Sequence, residues 1–513
     1  MSSANFKKNK IKKGSALAYG LVIMFCVSII VTSMLGYITS QLKFSFNRAE
    51  REEAFQIAEA GVYYYRWYLA HETSGKTAQQ IQTFWETGNP LGVGSIYESD
   101  YMGLGKYQIE VVAPSAGSTI VTVKSTGWTY KEPNMLRIVQ VRFRRPSWSE
   151  YAVLANDFMR FGEGTEVYGK IHSNKGIRFD GVAHNVISSL VSTFDDPDHS
   201  GGSEFGVHTH VNAPPASGVN DTFRSAEAPP SSLPSRPDVF MAGRQFPVPE
   251  VSFTGVVSDL SFMKTQAQSG GGKYFDSSGQ GRQLILKTDG SYDIYTVNSY
   301  DAVSNYVTGY AGTKNSNGTG TACTAPITTI GPNTQCKNKT TGSTCYCKRD
   351  NYAIPNNGVI FVESNIWLEG TINKNKVTIV AANLIGGGES NIFIGNNNIL
   401  YTNLDGADIL GVIAQNDVEV IRNSQNNLVI DGAFIAKDGR VGRENYGMSD
   451  YKSSITMNGS MATNRRYGFS WTNGTISWGY ETRNLNFDNN LLYYPPPYFP
   501  TGTEYAIDLW QEL

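Results

Sequence analysis

Hydrophobic and polar positions divide this chain into stretches with different periods. Ser15 to Leu42, SALAYGLVIMFCVSIIVTSMLGYITSQL, carries no charged residue. It is long enough to cross a bilayer, for which about 20 apolar residues suffice. Beyond Lys43 polar residues return without a proline. Phe55, Ala58, Val62, Tyr65 and Leu69 then recur at spacings of three and four, an apolar stripe along one side of a helix. The pattern predicts one continuous helix from Ser15 to Ala70, roughly 80 Å long at 1.5 Å per residue. Its first half suits lipid and its second half a folded partner.

The period then falls to two. Tyr107 to Val112, Thr119 to Lys124 and Leu136 to Phe143 alternate apolar with polar residues, and turn-forming segments around Pro114 and Pro133 separate them. A short helix is expected around Thr77 to Trp85. Three strands form a small antiparallel sheet that needs a cover, and the stripe from Phe55 to Leu69 is the nearest supplier.

After Pro146 a third pattern begins. The segment from Val167 to Gly181 alternates around Asn174-Lys175-Gly176, and related arrangements recur at Val362 to Gly370, at Ala414 to Val420 and, more loosely, at Ala433 to Val441. Short strands broken by Asn and Gly at rungs of about 20 residues are what a stacked parallel β-solenoid requires. A β-sandwich is the competing architecture. It fits less well, because VTIVAAN, DILGVIAQN and LVIDGAFIAKDG recur without obvious hairpin turns. The fold class expected is α+β: a long helix on a small antiparallel sheet, then a mainly β, solenoid-like domain.

Two insertions interrupt it. Eight prolines between Val211 and Glu250 predict an extended, poorly ordered connector. Val256 to Gln268 has helical spacing, and Thr288-Asp289-Gly290 predicts a hairpin between Gln283 to Lys287 and Ser291 to Val297. Gly270-Gly271-Gly272-Lys273 is not a phosphate loop, since no strand leads in and Tyr274 stands where a Ser or Thr would hold magnesium.

Charge changes the picture at one end. Lys7, Lys8, Lys10, Lys12 and Lys13 precede the apolar run, so the residues after Lys43 are expected on the far side of the membrane. The formal net charge of −2 gives no reason to expect a nucleic-acid partner, which calls for a basic patch.

The Lys-rich leader ending in Gly14, the apolar helix beginning at Ser15, and Ala54-Phe55-Gln56-Ile57-Ala58-Glu59-Ala60-Gly61 together resemble the amino end of type IV pilin-like proteins, specifically PilX-type minor pilins. That resemblance implies cleavage by a prepilin peptidase between Gly14 and Ser15, and methylation of the new terminus. Major pilins generally carry Glu at the fifth mature position, whereas Tyr19 stands here, which suits a minor subunit near a filament tip. The partners implied are other minor pilins and the major pilin, the inner-membrane assembly platform, the prepilin peptidase and the lipid bilayer. The localisation implied is a bacterial inner membrane, held by one helix, and then the pilus or cell surface. Tyr493 to Pro500, with Arg483-Asn484-Leu485 before it, resembles the closing segment of large PilX-type proteins; its prolines cannot donate to a ladder, so it is expected to cap or strap the last coil.

The domain plan is therefore a leader at 1–14, a transmembrane and pilin-like helix at 15–75, and its sheet at 76–146. A first solenoid-like segment follows at 147–210, the connector at 211–250, an inserted helix, hairpin and Cys-rich loop at 251–355, and the remaining coils with a Pro-rich strap at 356–513. The alternatives are a type II secretion pseudopilin and a membrane-anchored carbohydrate-binding or lyase-like β-helix protein outside any filament.

Cys323, Cys336, Cys345 and Cys347 crowd into a polar loop, whereas Cys26 lies in the apolar run. Without a C-x2-C spacing or a nearby His, and in an oxidising compartment, two disulfides are expected rather than zinc. Of the three pairings, one joining Cys345 to Cys347 is disfavoured by their closeness. Asp195, Asp196, Asp198, His199, Glu204, His208 and His210 form the only dense group of potential ligands. Oxygen ligands suit calcium and His-x-His a transition metal, but the expectation is a solvated acidic loop with no metal or cofactor. No catalytic motif emerges. Asp431, Glu369, Trp367 and Tyr401 suit a polysaccharide-binding face only if they share one, and a non-enzymatic protein is expected.

Overall fold

The structure is a computed structural model and describes residues 13–114, 118–220, 227–253, 256–311, 335–337, 344–346, 349–472, 477–502 and 504–513. Helix α1 spans Lys13–Thr73 without a break. A second helix, α2, spans Ala78–Thr87, where Thr77 and Gln80 form a reciprocal capping box. Strands β1 (Tyr97–Tyr101), β2 (Gly105–Val112), β3 (Ile120–Thr129) and β4 (Arg137–Arg144) follow as an antiparallel meander. The stripe on α1 covers this sheet. Ile57, Ala58, Val62, Tyr65 and Leu69 share a core with Tyr107, Ile109, Val121, Val123, Val139, Val141 and Phe143.

The sheet has a fifth strand that no local pattern announces. Ala506–Glu512, at the carboxyl end, pairs antiparallel with β4. The chain therefore leaves the small sheet after β4, builds everything else, and comes back. The outgoing and returning segments touch at the exit, where Gly502 N–H donates to Pro146 C=O at 2.8 Å.

Everything between is a large, mostly β domain whose principal sheet is mixed. Parallel ladders run through it, but the mixed pairing does not make it clearly the solenoid expected from the Asn/Gly pattern. One column of facing residues runs Ile360, Ile379, Val412, Phe434, Met461, Val153, Ile171 and Ile187 through successive parallel pairs, and all eight lie in one core. The alternate side chains Phe361, Val380, Ile413, Ile435, Ala462 and Leu154 form a second core on the other face, covered by helix α3 (Val256–Ser269), Trp148 and Phe499. Burial on both faces is why these strands read as continuous apolar runs.

Antiparallel hairpins are added to these ladders, so the domain is not a plain solenoid. Gly281–Leu286 pairs antiparallel with Ser291–Asp301, as the Asp289-Gly290 turn predicted, while its other edge pairs in parallel with Asn365–Ile372. The rung order is also not the chain order. Val153–Ala155, the first rung in sequence, stacks on Tyr451–Thr463, one of the last.

The corner asparagines act through their side chains. Asn391 accepts from Asn416 Nδ2 at 3.1 Å, and its own N–H donates to Asn365 at 2.9 Å. Asn174 donates to Asn156 at 2.9 Å and Asn156 to Asn464 at 2.8 Å. Among the described residues, left-handed non-glycine backbone falls elsewhere, at Asn89, Met102, Asn305, Lys374 and Tyr498.

Two expectations change. The Pro-rich segment from 211 to 250 is not a poorly ordered connector where it is described. Val239 and Phe240 are buried, Arg244–Gln245 pairs with Ile187–Ser189, and buried Glu227 accepts from Arg244 at 2.7 Å. Rung hydrogen bonds and apolar burial hold it, which its composition alone could not reveal. The Pro495-Pro496-Pro497 strip runs along the stack rather than over its end: Pro497 C=O accepts from Thr378, and Pro496 and Phe499 lie against Gly411.

Candidate functional site

α1 divides into two environments. Every residue from 16 to 49 is exposed, including Tyr19, Ile23, Phe25, Ile30 and Leu35, whereas Ala54, Ile57, Ala58, Tyr65 and Leu69 are wholly buried. Among the described residues, this helix alone is long and apolar enough to cross a membrane. Gly14 and Ser15, the expected processing bond, lie within α1, and Tyr19 projects from it with no cover.

The helix meets the sheet at backbone distance. A Cβ on Gly127 of β3 would stand 2.4 Å from Ala58 N and 2.5 Å from Ala54 O. Glycine at that position is therefore what lets α1 lie so close. The returning strand closes the other side. Trp510 meets Phe55 edge-on at 5.9 Å, Asp508 accepts from Arg142 Nε at 2.5 Å, and Trp85 Nε1 donates to Tyr505 Oη at 3.0 Å. Phe55, placed on the stripe from sequence, is only part-buried because it sits at this edge.

The four residues considered for a carbohydrate face do not come together. Trp367 and Glu369 line an open cavity of about 700 Å³ together with Phe393, Asn396, Asn397 and Tyr310. Tyr401 is buried behind it and accepts from Leu410 N–H at 2.7 Å; Asp431 accepts from Tyr401 N–H at 2.8 Å. Glu369 is occupied by Gln283, Asn396 and Asn397, a structural set of bonds. Nearby, burial first and then the charge of Glu444 push the Glu419 carboxyl up to about 7, against the hydrogen bond from Tyr446.

The acidic and histidine segment differs most from its expectation. It is not a solvated loop: Asp196 is nearly buried, and Glu204, His208 and His210 are fully so. Thr193–Phe194 pairs with Glu204–Phe205 as a short hairpin, and Val207–His208 pairs in parallel with Ile177–Phe179. This brings His208 Nε2 within 2.9 Å of Glu204 Oε2, and His210 Nε2 within 3.0 Å of Glu204 Oε1. The ligand atoms of Asp196, His208 and His210 lie within 4.8 Å of one another, as do those of His199, Glu204 and His210. Burial raises the Glu204 pKa, but the adjoining rings of His208 and His210 outweigh it and hold it at about 2. Asp195 stays exposed, and Asp198 turns to Arg160 and Arg466.

Of the cysteines, Cys26 is exposed on α1 as a free thiol. Cys336 and Cys345 face each other in a short antiparallel ladder, Gln335–Lys337 with Thr344–Tyr346. Cys323 and Cys347 lie outside the described residues, as does the leader through residue 12.

Among curated proteins, none matches this chain. Among solved structures, the competence-associated pilin ComZ from Thermus thermophilus is similar at 12% identity, over 90% of this chain and 98% of that one, with a TM-score of 0.28. That likeness is too distant to establish a shared fold. Residues 13–62 match the PilX N-terminal family model, and the match ends within the buried stripe of α1. The amino end of this chain is therefore similar to the PilX N-terminal region, and it forms one long apolar helix, fit for membrane anchoring, that carries a large, mostly β domain.

Proposed function

We propose that this chain is a minor pilin of a type IV pilus, acting in pilus initiation or at the tip and displaying its β domain for adhesion rather than catalysis. The observation that carries the reading is the unbroken α1: its exposed apolar half has no protein partner among the described residues, while its second half is the spine of the head. A helix of that kind is retained by lipid before assembly and is available afterwards to the apolar helices of neighbouring subunits. Tyr19 in place of Glu supports a position that does not need to neutralise a neighbour's terminal amine. A size of 513 residues also favours a tip position, since a bulky head is hard to repeat along a packed shaft.

The lysines before α1 favour a cytoplasmic amino end and an extracytoplasmic head. On this reading the Cys-rich loop carries disulfides and the leader is removed at Gly14-Ser15, with methylation of Ser15. Mass analysis of the chain from cells with and without prepilin peptidase tests it. The expected mature chain begins at Ser15 only when the peptidase is present; an unprocessed chain in both strains overturns the filament role. Immunogold label at filament ends, rather than along shafts or on the cell body, is the result expected for a tip subunit.

A further inference from the structure

His208 presents a buried ring nitrogen that no aligned hydrogen bond within the protein satisfies. His208 Nδ1 stands 3.0 Å from Phe205 C=O, and a carbonyl can only accept. That bond puts the proton on Nδ1 and, in the neutral ring, leaves a bare lone pair on Nε2. Nε2 is fully enclosed, 2.9 Å from a Glu204 oxygen, yet the two are not aligned as a hydrogen bond. A ring nitrogen and a carboxylate oxygen that close need a proton or a metal cation between them, and a backbone carbonyl behind the distal nitrogen is the usual support of a metal-ligating imidazole.

The charge balance points the same way. Asp180, Asp196 and Glu204 are nearly or fully buried here, and Arg178 is the buried cation among them, 2.7 Å from Asp180 and 3.7 Å from Asp196. Buried carboxylates thus outnumber the fully buried cation, and negative charge held out of water is costly unless a cation sits beside it. A bound metal ion supplies one. Ligand atoms on one tetrahedral zinc stand roughly 3.3 Å apart, given bonds near 2.0–2.1 Å. Here the ligand atoms of Asp196, His208 and His210 lie within 4.8 Å of one another, as do those of His199, Glu204 and His210, close enough to gather on one ion with small side-chain movements.

We propose that Glu204, His208 and His210, with Asp196 or His199 completing the set, bind one divalent transition-metal ion of the zinc class. Mixed imidazole and carboxylate ligands favour zinc over calcium, which takes six or more oxygens. The burial of these ligands makes the site structural, with no position kept open for substrate. Val207–His208 is the terminal strand of its small sheet, so the ion ties the hairpin at 193–205 to that strand.

The test uses the full chain in detergent, freed of metal by chelation, incubated with Zn2+ or Co2+ and desalted. One zinc per chain is expected by native mass spectrometry, and the cobalt form should show the intense visible absorption of tetrahedral coordination. His208→Ala and Glu204→Gln should lower occupancy at least tenfold, while Asp195→Ala, at an exposed neighbour, should retain it. Chelation of the unmutated chain should lower its melting temperature, a readout that does not require a variant to fold. A chain that retains no Zn2+, whose cobalt spectrum is that of the octahedral aqua ion and whose melting is indifferent to chelator, overturns the proposal. Full occupancy in both His208→Ala and Glu204→Gln would also overturn it, by placing the metal elsewhere.

Discussion

The two halves of α1 are equally helical and similarly apolar on at least one face, yet one is bare and the other buried. Between residues 16 and 49 the apolar side chains surround the helix, and none finds a cover. Between Ala54 and Leu69 they form a single stripe, and that stripe is the core of a five-stranded sheet. Apolarity all round calls for a solvent that is apolar all round, whereas a stripe calls for one folded neighbour. The lesson is that one helix is specified twice, once for apolar surroundings outside the fold and once for its own head.

Mutations on either side of Glu50 should therefore report to different measurements. The largest effect is expected from Tyr65→Ala, which empties a fully buried ring site and should cost about 3–5 kcal/mol in denaturant unfolding of the head. Tyr65→Phe sharpens this: the buried hydroxyl has no hydrogen-bond partner, so its removal should be neutral or stabilising. A large loss in the Phe variant would mean that the hydroxyl has a partner after all.

Ile30→Lys should do the opposite of Tyr65→Ala. It should disfavour membrane insertion by about 3 kcal/mol, measured as the membrane-retained fraction after alkaline extraction, and leave the head's melting unchanged. Equal damage to both would break the division between the halves. Gly127→Ala comes next. Its added methyl meets the α1 backbone, so about 1–3 kcal/mol of head stability should be lost with insertion intact. The smallest effect is expected at the returning strand, where Trp510→Leu removes the edge-on contact with Phe55. About 0.5–1.5 kcal/mol should be lost, and unfolding of the head should still include the strand at 506–512 by hydrogen exchange.

Much of this was legible in the residues, for local reasons. α1, β2 to β4 and the hairpin at Asp289-Gly290 each advertise themselves through a period or a turn within a few residues. The Asn-marked rungs were visible too, although their chemistry was not, because the bond from Asn416 to Asn391 joins neighbouring coils rather than shaping one corner. The returning strand stayed hidden, since Ala506–Glu512 has no clean alternation and Arg142 and Asp508, which it brings together, are 366 residues apart. The burial of the acidic and histidine segment was misread for the opposite reason. Asp, Glu and His in a Gly- and Ser-rich stretch have the composition of a wet loop, and nothing local says that rungs from distant segments will enclose it.

What the chain determined by itself was every property carried by neighbours in sequence: the span of α1, its change from apolar all round to striped, the two-residue period of the small sheet, and the apolar runs of rungs buried on both faces. Tertiary structure alone decided which rung stacks on which, that the large domain is inserted into the small sheet, and that Glu204, His208 and His210 face one another out of water. The reason is that periodicity fixes which face of an element is apolar but not its partner. The partner is selected by packing and hydrogen bonding among segments hundreds of residues apart, and only there do charges find, or lack, their compensation.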